Sequence, residues 1–185
     1  FYDSYSTVQN FSAQELIDQI NLSNFEDILD IGCGTGNFTR LLKNKFPTAK
    51  ITAVDISKDM VNIAKEKLGD KAIRFVNSDG QRIRTSKRFD LISSNATFQW
   101  FDNLKEVLAR YQKSLRKNGL IVFSTFGPLT FYELHEALQS PRENPFSISA
   151  SEFIGKEKLE FMLRDLFKEV QIRQYIYTEE YDSLG

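Results

Sequence analysis

Residues 27–38 read Asp-Ile-Leu-Asp-Ile-Gly-Cys-Gly-Thr-Gly-Asn-Phe, a short apolar run that leads into three alternate glycines. The run predicts a buried strand, and the glycines predict a sharp turn, because glycine adopts positive φ angles and leaves room for a ligand. In a dinucleotide-binding turn the third glycine follows the second by three residues, whereas Gly36 follows Gly34 by two. The carboxylate of Asp30 would repel a pyrophosphate and suits the cationic amino-acid end of a ligand. The stretch alone leaves open an ordinary strand, turn and helix without a ligand.

Two further acidic residues follow the next two predicted strands. Asp55 comes after the strand predicted at 50–54, where a carboxylate can accept hydrogen bonds from two vicinal ribose hydroxyls. The alternative for Asp55 is a helix cap, a role that Ser57 could also fill. Asp79 follows the strand at 73–76 and could hold an adenine amino group, with the N–H of Gly80 serving a ring nitrogen. Three acids at the ends of successive parallel strands favour a cofactor that carries a nucleoside.

Short apolar runs alternate with helical periods along the rest of the chain. Strands are predicted at 27–31, 50–54, 73–76, 89–93 and 120–125, and helices at 11–20, 58–68, 104–115, 130–139 and 156–166, with a turn at 118–119, a loop at 141–151 and a β-rich run at 170–178. This order predicts an α/β fold with a doubly wound, mostly parallel sheet and helices on both faces. We expect one domain, with an N-terminal lid or helix at 1–22, a cofactor-binding core at 27–125 and a substrate-side region with the last strands at 126–185.

Composition narrows the classes of partner. The 185 residues carry a formal net charge of −1, which gives no general electrostatic case for nucleic acid or an anionic membrane. No apolar run is long enough to cross a bilayer, no leader sequence is apparent, and the single cysteine forms neither an internal disulfide nor a cysteine-rich zinc site. We therefore expect a cytoplasmic protein with no membrane, nucleic-acid or metal partner. The start at Phe1 and the end at Gly185 are typical of a fragment that continues beyond its last residue.

The glycine turn with its three acids resembles the cofactor site of class I S-adenosylmethionine-dependent methyltransferases over residues 27–125. A narrower resemblance rests on five segments: Tyr2-Asp3 with Val8-Gln9, residues 94–100 (Ser-Asn-Ala-Thr-Phe-Gln-Trp), 123–127 (Phe-Ser-Thr-Phe-Gly), 133–138 (Glu-Leu-His-Glu-Ala-Leu) and 144–146 (Asn-Pro-Phe). In these the chain is similar to the malonyl-acyl-carrier-protein O-methyltransferases of biotin synthesis. The resemblance implies a Rossmann-like monomer that uses S-adenosylmethionine to methylate the free carboxylate of malonyl-acyl carrier protein or malonyl-CoA.

The same resemblance implies roles for individual residues. Tyr2 and Gln9 match the N-terminal lid, and the catalytic set is Tyr2, Asn95 and Trp100. The implied cofactor-binding residues are Asp30, Gly32, Gly34, Gly36, Asp55, Ile56, Met60, Asp79, Gly80 and Asn95. The implied substrate-binding residues are Phe98, Gln99, Trp100 and Arg142. The chain departs from the family at residues 81–84, which read Gln-Arg-Ile-Arg instead of a Leu-Pro-Phe type, and at Pro145, where many members carry an arginine that Arg142 would replace.

The chemistry implied by the resemblance needs no general base. A carboxylic acid with a pKa near 4 is about 99.9% ionised at pH 7, so the only histidine, His135, is better explained as a partly exposed helix residue. Alternatives are a methyltransferase for another small carboxylate or a phenol, and a non-catalytic cofactor-binding protein; the glycine spacing disfavours an NAD-linked oxidoreductase. An acidic carrier protein would dock on a basic patch, for which Lys156, Lys158, Arg164 and Lys168 are candidates, although a solvated helix face explains them better.

Overall fold

Five parallel strands form one sheet in the computed structural model, which describes residues 6–22, 24–139 and 148–178. The strands are β1 (Asp27–Ile31), β2 (Lys50–Asp55), β3 (Ile73–Asn77), β4 (Phe89–Ser94) and β5 (Leu115–Phe123). Their order across the sheet is β3-β2-β1-β4-β5, and each adjacent pair is parallel. The order reverses between β1 and β4, so the carboxyl ends of these two strands flank the crevice where open α/β sheets bind ligands.

The described residues form six α-helices, and helices cover both faces of this sheet. They are α1 (Thr7–Asp18), α2 (Asn37–Lys45), α3 (Lys58–Leu68), α4 (Leu104–Lys113), α5 (Tyr132–Gln139) and α6 (Lys156–Leu166). Every residue of β1 is buried, and alternate residues enter two cores, as a strand covered on both faces requires. Ile28 packs with residues of α1 and α2 on one face, whereas Leu29 and Ile31 pack with residues of α4 and α6 on the other. The predicted α/β fold with helices on both faces is thus confirmed.

Several predicted bounds match those of the structure, among them β1, α3 and α6. The first helix begins at Thr7 instead of residue 11. The turn predicted at Asn118-Gly119 lies inside β5 as a bulge: Asn118 has a φ of 63°, and the register jumps from Phe89 opposite Leu115 to Leu91 opposite Leu120. The Asn-Gly pair therefore forms a bulge within β5 and does not end the strand.

The β-rich run predicted at 170–178 is wrong, since none of these residues lies in a strand. Among the described residues β5 pairs only with β4, so this run has no neighbouring strand to bond. It packs through side chains instead, with the rings of Tyr175 and Tyr177 lying 5.9 and 5.4 Å from the ring of Phe11 in α1. Within the same described part of the chain, no helix is both long and apolar enough to cross a membrane.

Candidate functional site

The first glycine of the turn is required by packing. Gly32 has a φ of 71°, and its N–H and that of Cys33 both donate to the carbonyl of Val54, at 2.8 and 3.0 Å. A Cβ on Gly32 would lie 2.1 Å from Oγ1 of Thr97, in the segment after β4. The turn therefore holds the ends of β1, β2 and β4 together. Gly36, the N-cap of α2, is also tight, since a Cβ there would lie 2.9 Å from Cδ1 of Leu68.

The middle glycine faces open space. Gly34 has a φ of 53°, and no atom lies within 4 Å of the position that its Cβ would take. Its N–H donates to Oδ2 of Asp55 at 2.8 Å, which fixes the turn against the end of β2. Packing thus explains Gly32 and Gly36 but not the lack of a side chain at Gly34, where a ligand can approach the backbone closely.

Asp55 presents a half-buried carboxylate between the turn and α3. Its Oδ1 accepts from the N–H of Ser57 at 2.8 Å, while Oδ2 is bonded to Gly34. Ser57 caps α3 by accepting from the N–H of Met60 at 3.3 Å, so the capping alternative for Asp55 is taken by Ser57. Each carboxylate oxygen has a second lone pair free for a hydroxyl donor. Beside it, Ile56 is 72% exposed and offers an apolar surface next to the carboxylate.

The turn after β3 is stabilised by its own hydrogen bonds and by a side chain of α4. Asp79 begins a short 3₁₀ turn, Gly80–Arg82, by accepting from the N–H of Gln81 at 2.8 Å, and its other oxygen lies 3.3 Å from Nε of Arg82. The buried hydroxyl of Tyr111 donates to the carbonyl of Gly80 at 2.6 Å, and burial raises the pKa of Tyr111 above its usual value. A Cβ on Gly80 would lie 2.7 Å from Cγ2 of Ile31, so this turn sits directly on the core.

Asp30 lies beneath the glycine turn, with 1% of its surface exposed. Its carboxylate accepts from the hydroxyls of Thr39, at 2.6 Å, and Ser93, at 3.1 Å. Burial raises the pKa of Asp30 to about 6; the two hydrogen bonds oppose this shift and the charge of Asp55 adds to it. Its contact with a cationic ligand end stays a prediction. Burial likewise raises the pKa of the Cys33 thiol, which remains protonated at neutral pH.

Asn95 joins three elements at the end of β4. Its Oδ1 accepts from the hydroxyls of Ser12 in α1, at 2.9 Å, and Ser124 after β5, at 2.6 Å. Its Nδ2 donates to the carbonyl of Gln9 at 3.0 Å. The N-terminal helix is thus fastened to the end of β4, and its role as a lid stays a prediction. Sequence reasoning missed Ser12 and Ser124, because single serines carry no pattern that marks them.

The segment after Asn95 points its side chains in different directions. Phe98 is 1% exposed and packs against Phe101 and Phe123, each with ring centroids 5.0 Å away. It is a core residue, so the prediction that it binds the substrate is wrong. Gln99 donates to the carbonyl of Ala96 at 2.7 Å and accepts from the hydroxyl of Thr125 at 3.3 Å.

Trp100 remains 62% exposed, with its ring edge against Phe153 at 5.2 Å. It is therefore available to an acceptor. Tyr2 and Arg142, predicted for catalysis and substrate binding, lie outside the described residues. In the part that is described, no cluster of three or more metal-ligating side chains is present, and His135 lies half-buried on α5.

Comparisons with known proteins agree with this geometry. A family model described as "Methyltransferase domain" matches residues 28–119. Malonyl-[acyl-carrier protein] O-methyltransferase 2 of Ilyobacter polytropus is 39% identical over 184 residues, covering 97% of this chain and 70% of the relative. The malonyl-[acyl-carrier protein] O-methyltransferase of Priestia megaterium is 42% identical over 145 residues and 77% of this chain. The match to the Priestia megaterium protein covers 53% of that relative, and the match to the malonyl-[acyl-carrier protein] O-methyltransferase of Acetivibrio thermocellus covers 50% of that one. The chain therefore spans about half the length of these curated relatives.

Solved structures share the fold. The plantazolicin methyltransferase BpumL in complex with SAH superposes with a TM-score of 0.66 at 21% identity, covering 90% of this chain and 64% of that one. An S-adenosylmethionine-dependent methyltransferase from Clostridium acetobutylicum gives a TM-score of 0.60 at 24% identity, covering 72% and 61%. At these identities the likeness concerns the fold alone.

Proposed function

The chain belongs to the malonyl-[acyl-carrier protein] O-methyltransferase family, and on this premise we propose that it methylates the free carboxylate of a malonyl thioester. The methyl donor would be S-adenosylmethionine and the product a methyl ester. The thioester would be carried by acyl carrier protein or by CoA, and the step would belong to biotin synthesis.

The observation that carries the proposal is the turn at the end of β1 together with the acids that follow β2 and β3. The backbone at Gly34 is open to a ligand while Gly32 and Gly36 are packed, and Asp55 lies against the N–H of Gly34. An acceptor pair for a ribose therefore adjoins a surface that a ligand can approach closely. Asp79 lies after the neighbouring strand, β3, where an adenine amino group would be held.

The donor set fits S-adenosylmethionine, which when bound supplies a methyl group already activated on a sulfonium. Asp55 would hold the ribose hydroxyls, Ile56 and Met60 the adenine ring, and Asp79 with the N–H of Gly80 the ring's polar edge. Asp30 would act on the amino-acid end from beneath the turn, through its charge. The methyl acceptor would lie near Asn95 and Trp100, because these residues follow β4 on the other side of the crevice.

The protein's own contribution is positioning and the exclusion of water. Correct orientation of two reactants can supply about 7–11 kcal/mol of the barrier. Asn95 fastens α1 over the crevice through Ser12 and the carbonyl of Gln9, which supports a covering role for this helix. Opening this contact would admit the ligands, and closing it would keep water from the reacting carboxylate.

The proposal is tested by mass spectrometry of malonyl-acyl carrier protein after incubation with the full-length protein and S-adenosylmethionine. We expect a gain of one methyl group on the malonyl carrier and none on an acetyl carrier, which lacks the free carboxylate. A succinyl carrier run in parallel tests the length of the acid. Binding of S-adenosylmethionine by calorimetry without methylation of any carrier or malonyl-CoA would reject the substrate and leave another small acid, a phenol or a non-catalytic role.

A further inference from the structure

A basic groove of about 490 Å³ lies between the segment at 83–88 and the carboxyl end of α4. Its charged lining consists of Arg84, Arg88, Arg110 and Lys113, and no acidic residue lines it. The rest of the lining is mostly small and polar, including Thr85, Ser86 and Ser114. A concave surface with one sign of charge concentrates its field and attracts a partner of the opposite charge.

The charges of this basic groove are largely free to act on a partner. Arg84, Arg88 and Lys113 are exposed, and none of them forms an ion pair or a side-chain hydrogen bond with another described residue. Arg110 donates to the carbonyl of Gln81, and its nearest carboxylate, the 67% exposed Glu106, lies 3.6 Å away. The side chain of Arg110 is itself only 20% exposed, so the charge open to a partner comes mainly from Arg84, Arg88 and Lys113.

The basic patch predicted on α6 differs from this groove, because acidic side chains lie among its cations. On α6, Arg164 forms two bonds to Oε1 of Glu160, at 2.6 and 3.0 Å. Lys156 and Lys158 share the helix with Glu157, Glu160 and Asp165. The surface of α6 is therefore of mixed charge, whereas the basic groove is not.

One end of the basic groove touches the candidate site. Tyr111, which lines the groove, donates to the carbonyl of Gly80, and Arg110 donates to that of Gln81. The side-chain oxygen of Gln81 in turn accepts from the N–H of Asp102 at 2.8 Å, two residues after Trp100. The groove thus reaches the turn at Gly80 and Gln81 at its Tyr111 end, and it runs from there toward the amino ends of β4 and β5, which Arg88 and Ser114 directly precede.

We propose that the basic groove docks the acidic surface of the carrier protein that presents the malonyl thioester, an inference that rests on the proposed function. The unpaired cations attract and orient a negatively charged protein surface. The hydrogen bonds of Tyr111 and Arg110 to the turn at Gly80 and Gln81 join one end of that surface to the candidate site. Cations of this kind act mainly on the rate of association and on its dependence on salt.

The test compares two double variants, each of which replaces two cationic side chains by glutamate. R84E/R88E alters the basic groove, and the matched control K156E/R173E alters exposed residues that line a separate groove beside α6. For each full-length protein we would measure the dissociation constant of fluorescently labelled malonyl-acyl carrier protein, and KM with three acceptors: the malonyl carrier, malonyl-CoA and the small, phosphate-free malonyl-pantetheine.

We expect R84E/R88E to raise the dissociation constant and KM for the carrier about tenfold or more, and the control to leave both nearly unchanged. Kinetics with malonyl-pantetheine should stay those of the wild type, which shows that the site is intact. Added salt should weaken carrier binding by the wild type more steeply than by R84E/R88E.

Three outcomes would overturn the docking site: carrier binding that R84E/R88E leaves unchanged, an equal or larger loss in K156E/R173E, or a loss confined to malonyl-CoA, which would assign the groove to nucleotide phosphates. A failure of the proposed function would give a different result from a failure of the docking site. If the wild type binds the carrier and R84E/R88E does not, yet no acceptor is methylated, the docking site stands and the reaction does not.

Discussion

Replacing Gly34 by alanine tests whether the open space above the turn is a ligand site. The backbone there has a φ of 53°, so an alanine costs about 1–2 kcal/mol of folding free energy even without a clash. For a chain of this size that loss lowers Tm by about 2–8 °C. Gly69, the C-cap of α3, is a matched control, because its φ is 54° and its Cβ would also meet no atom within 4 Å.

The two variants should lose similar stability and differ in ligand binding. A methyl group forced into a packed contact costs about 1–3 kcal/mol, which corresponds to about a 5- to 150-fold loss of affinity. Calorimetric titration with S-adenosylmethionine should show this loss for Gly34→Ala and wild-type affinity for Gly69→Ala. Urea unfolding of both variants measures the shared cost of the backbone strain. Wild-type affinity in Gly34→Ala, or an equal loss in Gly69→Ala, would refute the placement of the cofactor over the turn.

Three further predictions concern single side chains. Asp55→Ala should weaken calorimetric binding of S-adenosylmethionine about 10- to 150-fold through lost charge-assisted hydrogen bonds, whereas the exposed Asp59→Ala should not; unchanged affinity in Asp55→Ala would reject the ribose assignment. Because the pKa of Asp30 is raised to about 6, the folded state binds more protons than the unfolded state between about pH 4 and pH 6, and stability falls by up to about 3 kcal/mol as pH rises through that window. Urea unfolding should show Asp30→Asn gaining stability relative to the wild type from pH 4 to pH 7, and a constant difference would contradict the burial argument. Emission from Trp100, the only tryptophan, should change when malonyl-acyl carrier protein binds, and an unchanged spectrum would remove this residue from the acceptor site.

The framework of the site could be predicted from sequence because its signals are local. The run before Gly32 marks a strand buried on both faces, and Ser57 and Gly69 mark the two ends of α3. Parallel strands bring their carboxyl ends to one edge, so the residues that follow β1, β2 and β3 had to lie close together. The bond from Gly34 to Asp55 is the direct expression of this rule.

What sequence could not supply was the direction of side chains in short irregular segments. A 3₁₀ turn has three residues per turn, so Phe98, Gln99 and Trp100 point in three directions about 120° apart. Phe98 enters the core and Trp100 faces outward, although all three were assigned to the substrate. The β-rich run after α6 fails for a related reason, since a strand depends on a neighbour that its own sequence does not specify.

The residues around Asn95 also bear on the kind of acceptor. Ser12, Ser124, Gln99 and Thr125 are neutral, and their hydrogen bonds run to Asn95, to one another and to nearby backbone groups such as the carbonyl of Ala96. None of these groups takes up a proton near pH 7. A primary amine with a pKa near 10 is about 99.9% protonated at that pH and would have to lose a proton before it could be methylated, whereas a carboxylate is already ionised. A neutral, hydrogen-bonded surface beside an exposed tryptophan therefore suits an acid and not an amine. The rate of methyl transfer should accordingly stay flat above the acceptor's own pKa, while an amine acceptor would require a rate that rises tenfold with each pH unit.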